Sequence, residues 1–587
     1  MHRTALIKTT WLPAMATATL LLTACGGGGG GGDGGGPGGG NAGSPSDRTV
    51  TATLNGSGGT VSPLGEQKTS LGGDVVFTIT PDTHKTAKAN SNCSVLSDFS
   101  NSGTTFTVKN VSANCSVTFS FETIVHDVTA EVVDGMFVPM SPADTAGQAD
   151  TIALDTANQA LYAASGNGSS GSLQVYTLDA NGALTASGSP LSAPLSDRCN
   201  NSSDNTAPGQ CLLVGKKGNA ADHVYAILGQ SSGPVIRVYD AAAGSLTQVT
   251  DVDPATNIAD AAGDPISIMA VNSIVLDGAH NRLFAAVNTK DVSDQEGSAI
   301  LSYDISANGT FTFNQGVPLN NTARQLNGMV VDATGEHLYV SYDEPSQSPT
   351  VLDKAGVFHF TVEASTGTIN GAWSASFLSQ NSIKTQDLAL VPGAQKAYLV
   401  YSYNDFPFGN PVNVRGYSID GNGDFASLSN PTILTYEDTQ RVSLDIADNG
   451  EVAYLKAKRN SDSTAPSGIA IYSINPGTAK LSGRATAATF ANNAYHSMAI
   501  DYDNGLAYVA APADNKIAQY QVGTDQGSVS PASQTVDDGG TISVTLTANP
   551  SYQGAASGCD NGALSANTYS ASNITADCDV IATFVKP

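Results

Sequence analysis

The sequence predicts an all-β fold, a seven-bladed β-propeller with two small β-rich flanking domains, and three observations predict it. An aromatic residue recurs seven times on a predicted second strand: Tyr162, Tyr225, Phe284, Tyr339, Tyr398, Tyr454 and Tyr508. A second aromatic series, Tyr176, Tyr239, Tyr303, Phe360, Tyr417, Tyr472 and Tyr520, follows it member for member. After six members of the second series comes a glycine turn, as in Asp179-Ala180-Asn181-Gly182 and Asp420-Gly421-Asn422-Gly423. Repetition at this period is how stacked β-sheets declare themselves, and Gly and Asn tolerate the positive φ that a hairpin turn demands. Composition agrees, with 61 glycines and only 13% charged residues.

The chain begins with a targeting segment, residues 1–25, excluded from fold reasoning. His2, Arg3 and Lys8 form a short basic region, and the apolar stretch that follows is too short to span a bilayer comfortably. It ends in Leu22-Thr23-Ala24-Cys25, which resembles the lipobox of bacterial lipoproteins. That resemblance implies a diacylglycerol on the Cys25 thiol, Cys25 as the mature N-terminus, and residence in the cell envelope (the outer membrane in a Gram-negative host). Residues 26–47 are a Gly-rich flexible linker. Without side chains to bury, it wanders roughly 25 Å on average and stretches to about 70 Å, which suits a standoff tether.

Residues 48–124 and 523–587 read as two related β-rich modules. Each has a Gly-Xaa-Val-Ser-Pro turn, Gly59-Thr60-Val61-Ser62-Pro63 and Gly527-Ser528-Val529-Ser530-Pro531. Each then has a Gly-Gly pair and an alternating strand, and closes on a cysteine strand: Asn110-Val111-Ser112-Ala113-Asn114-Cys115 and Asn573-Ile574-Thr575-Ala576-Asp577-Cys578. The pattern resembles the bacterial repeat domains related to internalin-type B-repeats, which implies spacers or weak binding units without catalytic residues.

Between them, residues 127–522 hold the seven repeats. A first strand precedes each aromatic strand, as in Thr151-Ile152-Ala153-Leu154-Asp155 and Ser497-Met498-Ala499-Ile500-Asp501. The seventh repeat has no fourth strand after Tyr520, and a spare strand at Thr129–Met140 is expected to supply it, closing the ring and removing a sheet edge. On this reading both flanking modules emerge at the same edge of the propeller. The repeat style, carried by Asp332-Ala333-Thr334-Gly335-Glu336-His337-Leu338-Tyr339-Val340, resembles lactonase-type propellers and the related YVTN repeats. The His-Pro pair that usually opens an inner strand in bacterial lactonases is absent, so the resemblance implies the fold and no catalytic set.

Six cysteines remain after Cys25 and fall into three near pairs: Cys93 with Cys115, Cys199 with Cys211, and Cys559 with Cys578. An even number in an exported chain reads as disulfides; six cysteines allow about 15 pairings, and nearest neighbours are favoured. The net charge of −26 opposes binding to nucleic acid or anionic lipid headgroups.

Propellers use the channel mouth, just before each innermost strand. Aligning the repeats places Asp150, Asn272, Asn327 and His496 at one position, with Gln386 and Arg441 at or beside it. This polar ring is the candidate binding site for a small polar ligand or a cation. His496 is the strongest single candidate, as base or ligand. No second histidine joins it, so no metal site is expected there, and no cofactor is predicted. His223, His280, His337 and His359 are expected on solvated turns or outer strands. Asp420–Asp424 resembles the start of a calcium loop but lacks its later ligands, and reads as a hairpin turn. Two functions follow: a lipid-anchored binding or interaction scaffold with a protein, glycan or small-molecule partner, or a lactonase-like hydrolase acting at the channel mouth.

Overall fold

The computed structural model describes residues 47–93, 97–99, 104–146, 149–167, 170–195, 211–217, 220–230, 233–242, 245–254, 258–259, 265–319, 325–344, 354–370, 375–379, 383–403, 412–428, 432–434, 439–447, 449–459, 467–475, 477–490, 497–511 and 515–587. It is all-β, and the described strands are joined by turns without a single α-helix. Two compact units divide the chain at Glu122/Thr123.

The first unit is a two-sheet module of eight strands: β1 (Arg48–Asn55), β2 (Gly59–Ser62), β3 (Gly65–Thr69), β4 (Val75–Pro81), β5 (Lys85–Ser91), β6 (Ser97–Phe99), β7 (Thr105–Val108) and β8 (Cys115–Thr123). One sheet runs β3-β1-β8-β5 and the other β2-β4-β7-β6. β1 and β8 are parallel, with Val50 opposite Cys115 and Ala52 opposite Val117. Alternation sends Val50, Ala52, Phe77, Ile79, Phe106, Val117 and Phe119 into one core, where Phe119 meets Phe77 and Phe106 edge-on. Cys93–Cys115 ties β8 to the segment after β5.

In the second unit, seven antiparallel sheets follow one another. Sheet I spans residues 151–192, II 212–252, III 267–319, IV 325–379, V 383–434, VI 439–490 and VII 497–522. Each has four strands in simple order, with a fifth short strand in IV and V. Sheet VII takes its fourth strand from upstream: β10 (Phe137–Ala146) lies antiparallel to Lys516–Val522. The recurring aromatics pack between sheets. One apolar cluster joins I to II, and others join II to III, III to IV, IV to V, V to VI and VI to VII. A seventh, with Leu161, Ala163 and Tyr176 against Leu506, Tyr508 and Ile517, joins VII back to I.

The glycine turns have a packing reason as well as a conformational one. At Gly182, φ is +83°, and a Cβ would lie 2.4 Å from Leu506 of sheet VII. Tyr508 Oη donates to the Gly182 carbonyl at 2.7 Å. The turn of one sheet thus seats on the second strand of the sheet before it.

The rear module corrects the sequence-based boundaries. Residues 127–132, expected inside the propeller, form most of β9 (Val125–Val132), which pairs in parallel with Cys578–Val585 and antiparallel with Ser533–Asp537. The sheets are Ser533–Asp537, β9, Cys578–Val585, Gln553–Ser557 and Gly527–Ser530, Gly540–Ala548, Thr568–Ile574, Ala563–Ser565. Strand for strand this is the order of the front module, with β9 in the place of β1. Val128 stands opposite Cys578 as Val50 stands opposite Cys115. Residues 523–587 alone therefore lack the module's first strand, and the seven sheets are inserted between its first and second strands. The two crossing chains bind each other: Gly135 N donates to the Gly523 carbonyl at 2.9 Å, and Gly523 N to the Met136 carbonyl at 2.7 Å. His126 pins β9 through Asp538, 2.7 Å away. The spare strand predicted at Thr129–Met140 is thus divided between two jobs, because an alternating pattern fits either sheet.

Candidate functional site

Four of the six ring residues have described side chains, and each ties its own sheet together. Gly166 N donates to Asp150 Oδ2 at 2.9 Å. Asn272 Nδ2 donates to Asn288 Oδ1 at 2.6 Å, Asn327 Nδ2 to Asp343 Oδ2 at 3.0 Å, and Gln386 Nε2 to Ser402 Oγ at 3.0 Å. In all four the partner lies 16 residues on, at the end of the neighbouring strand. A strand, a turn and a returning strand of constant length put the same two positions side by side in every repeat. Among the described residues, Asn272 Oδ1 is buried without a hydrogen-bond partner. Arg441 lies in the strand Thr439–Ile446, opposite Lys458. His496 lies outside the described residues.

In sheets VII and V the residue after the ring position links one sheet to the next. Ser497 Oγ accepts from Ile152 N at 3.2 Å, joining sheet VII to I. Asp387 Oδ2 accepts from Leu444 N at 2.8 Å, joining V to VI. Around these links stand two acidic groups that sequence reasoning missed. Asp343 is buried, and its Oδ1 accepts from Thr385 N at 2.6 Å and Thr385 Oγ1 at 2.9 Å. Burial outweighs these donors and pushes the Asp343 carboxyl up to about 6. Asp387 is likewise pushed up to about 6 by burial, against the pull of its backbone donors and Lys456. Lys456 itself pairs with Asp445 at 2.6 Å. A carboxyl that titrates near neutrality is chemically suited to exchange a proton, but both Asp343 oxygens already hold donors from adjoining strands. Nothing in the local motif signals either residue, because their burial is created by the next sheet.

The histidines correct a second expectation. His223 and His359 are buried, not solvated, because the glycine turn of the following sheet closes over them. His223 Nδ1 lies 2.7 Å from Asp240 Oδ1. His337 Nδ1 and His359 Nε2 share a hydrogen bond of 2.9 Å, and His359 Nδ1 reaches Asp424 Oδ1 at 3.3 Å. Gly423 sits over the imidazole pair, where a Cβ would lie 2.5 Å from both ring nitrogens. Burial lowers the His359 pKa, and the neighbouring His337 adds to this while Asp424 and Asp420 oppose it. Asp420 Oδ1 accepts from Asn422 N at 2.8 Å and Asp424 N at 2.9 Å, the arrangement of a side-chain-stabilised turn. Among the described residues no group of three His, Cys, Asp or Glu side chains is placed to hold a metal ion.

A cleft of about 250 Å³ lies at the other end of the innermost strands, lined by Asp179, Gly182, Asp501, Asn504, Gln521 and Lys586 among others. Its carboxylates are occupied locally: Asp501 by Asn504 and Asp179 by Asn181 and Ala183.

No protein-family model matches the chain, and no curated protein matches it. Among solved structures it is similar to a protein from Lactobacillus plantarum, at 12% identity and a TM-score of 0.40, over 63% of this chain and 98% of that one. It is similar to a polysaccharide lyase described as an ulvan lyase, at 10% identity and a TM-score of 0.41, over 66% and 96%. A puromycin hydrolase matches at 10% identity and a TM-score of 0.39, over 72% and 62%.

Proposed function

We propose that this chain is a lipid-anchored cell-envelope protein whose seven sheets form a seven-bladed β-propeller, closed by β10, that acts as a binding or interaction scaffold. The observation that carries the scaffold reading is the use made of the ring. Its four described side chains hold strands together through the same 16-residue link, so their chemistry is spent on rigidity. The circuit of apolar clusters that returns from sheet VII to sheet I supports a closed ring. The motif Leu22-Thr23-Ala24-Cys25 and the glycine run after it support the anchor, and the bridges Cys93–Cys115 and Cys559–Cys578 suit an oxidising compartment.

Two measurements test this. Metabolic labelling with a palmitate analogue is expected to mark the wild-type chain and to vanish in Cys25→Ser; equal labelling of both overturns the anchor. A panel of lactones and esters is expected to give no turnover above buffer. Turnover that disappears in His496→Ala would replace the scaffold by a hydrolase.

A further inference from the structure

We infer that one end of the front module is a docking surface for the lipid bilayer to which the proposed Cys25 lipid tethers the chain. Among the described residues six large apolar side chains are exposed. Three of them, Leu64, Leu71 and Val76, belong to this small module, at 46%, 55% and 53% exposure. The chain path brings them to one end. Ser62 stands opposite Thr78 in the β2–β4 pair, so Leu64, two residues after Ser62, and Val76, two before Thr78, lie at the same end of that antiparallel pair. Leu71 belongs to the turn that opens β4, where Gly73 N donates to the Ser70 carbonyl at 2.9 Å. Arg48, where the chain from Cys25 enters the module, lies opposite Thr69, two residues before Leu71.

The rear module shows that the fold does not require these side chains. After its Ser-Pro pair it has Ala532 where the front module has Leu64, and before its Gly-Gly pair it has Asp538 in place of Leu71. Val76 lies between core Val75 and Phe77; its counterpart between core Ile542 and Val544 is Ser543. Charge differs in the same sense. Residues 48–122 hold five Lys or Arg against five Asp or Glu, whereas residues 125–132 and 523–587 hold one lysine against eight acids. The front module is thus electrically balanced in a chain of −26. Lys68 and Lys109 are exposed toward the apolar end. Lys68 stands opposite Thr49, and Lys109 precedes Asn110, whose N–H donates to Asp74 Oδ1 at 2.8 Å.

Aliphatic side chains beside lysines suit a membrane interface, where the apolar groups enter the acyl boundary and the ammonium groups stay among the phosphates. An acidic module is repelled by any anionic lipid in the headgroup layer; a balanced one is not. Tether length favours the same occupant. The 22 residues between Cys25 and Arg48 reach at most about 70 Å, so a lipid on Cys25 keeps this end of the module close to the bilayer, and even a weak contact is then populated. The tether permits contact as well as standoff. This inference rests on the proposed lipid anchor, but not on the propeller or its ligand.

The test replaces residues 1–25 by a hexahistidine tag and tethers the rest of the chain to phosphatidylcholine vesicles through a nickel-chelating lipid, so that it does not depend on acylation. Val76→Trp and Ser543→Trp place a fluorophore at the same position of the two modules, and Trp373, present in both, cancels. With brominated acyl chains, Val76→Trp emission is expected to be quenched about twofold or more beyond Ser543→Trp emission. Adding Leu64→Ser/Leu71→Ser to Val76→Trp is expected to lower the docked-to-undocked ratio about tenfold, since two half-exposed aliphatic contacts are lost. Unchanged thermal unfolding keeps that loss attributable to the surface. Equal quenching of Val76→Trp and Ser543→Trp, or quenching that survives Leu64→Ser/Leu71→Ser, overturns the inference. Self-association without quenching, abolished by Leu64→Ser/Leu71→Ser, overturns it in favour of a second copy of the chain. Quenching seen where palmitate labelling has failed keeps the docking surface and removes only the anchor; labelling without quenching does the reverse.

Discussion

The front and rear modules have the same strand order and the same parallel pairing beside a cysteine, yet they differ in continuity. The front one runs unbroken from Arg48 to Thr123. The rear one gives up its first strand to the far side of residues 134–522 and recovers it through contacts 450 residues apart in sequence. The difference teaches that a small sheet pair tolerates a large insertion when the crossing chains are themselves paired. Here the pair is β10 with Lys516–Val522, continued by the Gly135 and Gly523 bonds. The same pairing completes sheet VII, so completing the rear module and completing the seven-sheet unit are one structural act.

Truncation should separate the two modules most strongly. Removing residues 1–122 is expected to leave the main calorimetric transition in place. Removing 523–587 orphans β9 and breaks the Gly135 and Gly523 bonds between the crossing chains, and is expected to destabilise the whole second unit by about 4 kcal/mol or more. Equal effects would show that the insertion does not couple the parts. Next come Phe119→Ala and Phe584→Ala, both at fully buried sites of equivalent type. Each should cost about 3–5 kcal/mol. The first should move only the front module's transition; the second should lower the main one, as followed by near-ultraviolet circular dichroism.

Selective removal of the bridges is a milder version. Cys93–Cys115 and Cys559–Cys578 close loops of 22 and 19 residues. Loop-closure entropy predicts about 3 kcal/mol for each. Cys559→Ala/Cys578→Ala is expected to lower the main transition, and Cys93→Ala/Cys115→Ala to spare it.

The smallest effect separates the seven-sheet unit from the modules by pH. The Asp343 carboxyl is raised to about 6 in the fold, so the folded state binds its proton more tightly than the unfolded chain. Its contribution is full below the ordinary carboxylate value and is lost as pH rises through about 6. Titration from pH 7.5 to 5 should therefore gain about 1.4 kcal/mol at this residue. His359 works in the opposite sense: its lowered value means that stability present above the ordinary imidazole range is lost as pH falls. Asp343→Asn should remove this residue's share of the first slope, leaving the share of Asp387 and the opposite slope of His359, as read from chemical denaturation at several pH values.

Much of the fold was legible because its signals are local. Tyr176, Tyr303 and Tyr417 sit at one fixed offset before Gly182, Gly309 and Gly423, and each is a buried inter-sheet contact. The identity of β9 was not legible, although Val50-Thr51-Ala52 and Val128-Thr129-Ala130 read alike. A period of two cannot say which of two sheets a strand joins, and its partner Cys578 lies far downstream. The ring positions followed from repeat alignment. Their role as struts did not, since it depends on what stands at the end of the next strand. Asp343 and the His337–His359 pair were missed for a related reason: their burial is imposed by sheets V and its turn, not by their own neighbours.

Splitting the rear module also sets an order in time. During synthesis β9 appears long before Cys578, with 450 residues separating Asp127 from its bonding partner Asp577. At about 5–20 residues per second, the strand waits on the order of half a minute or longer. Throughout that interval it is an unpaired edge, open to any other strand that passes. Its exposed Asp127 and Glu131 are the kind of charges that discourage such pairing. The nascent chain thus carries its own guard at a strand whose partners, Ser533–Asp537 and Cys578–Val585, are made only after all seven sheets.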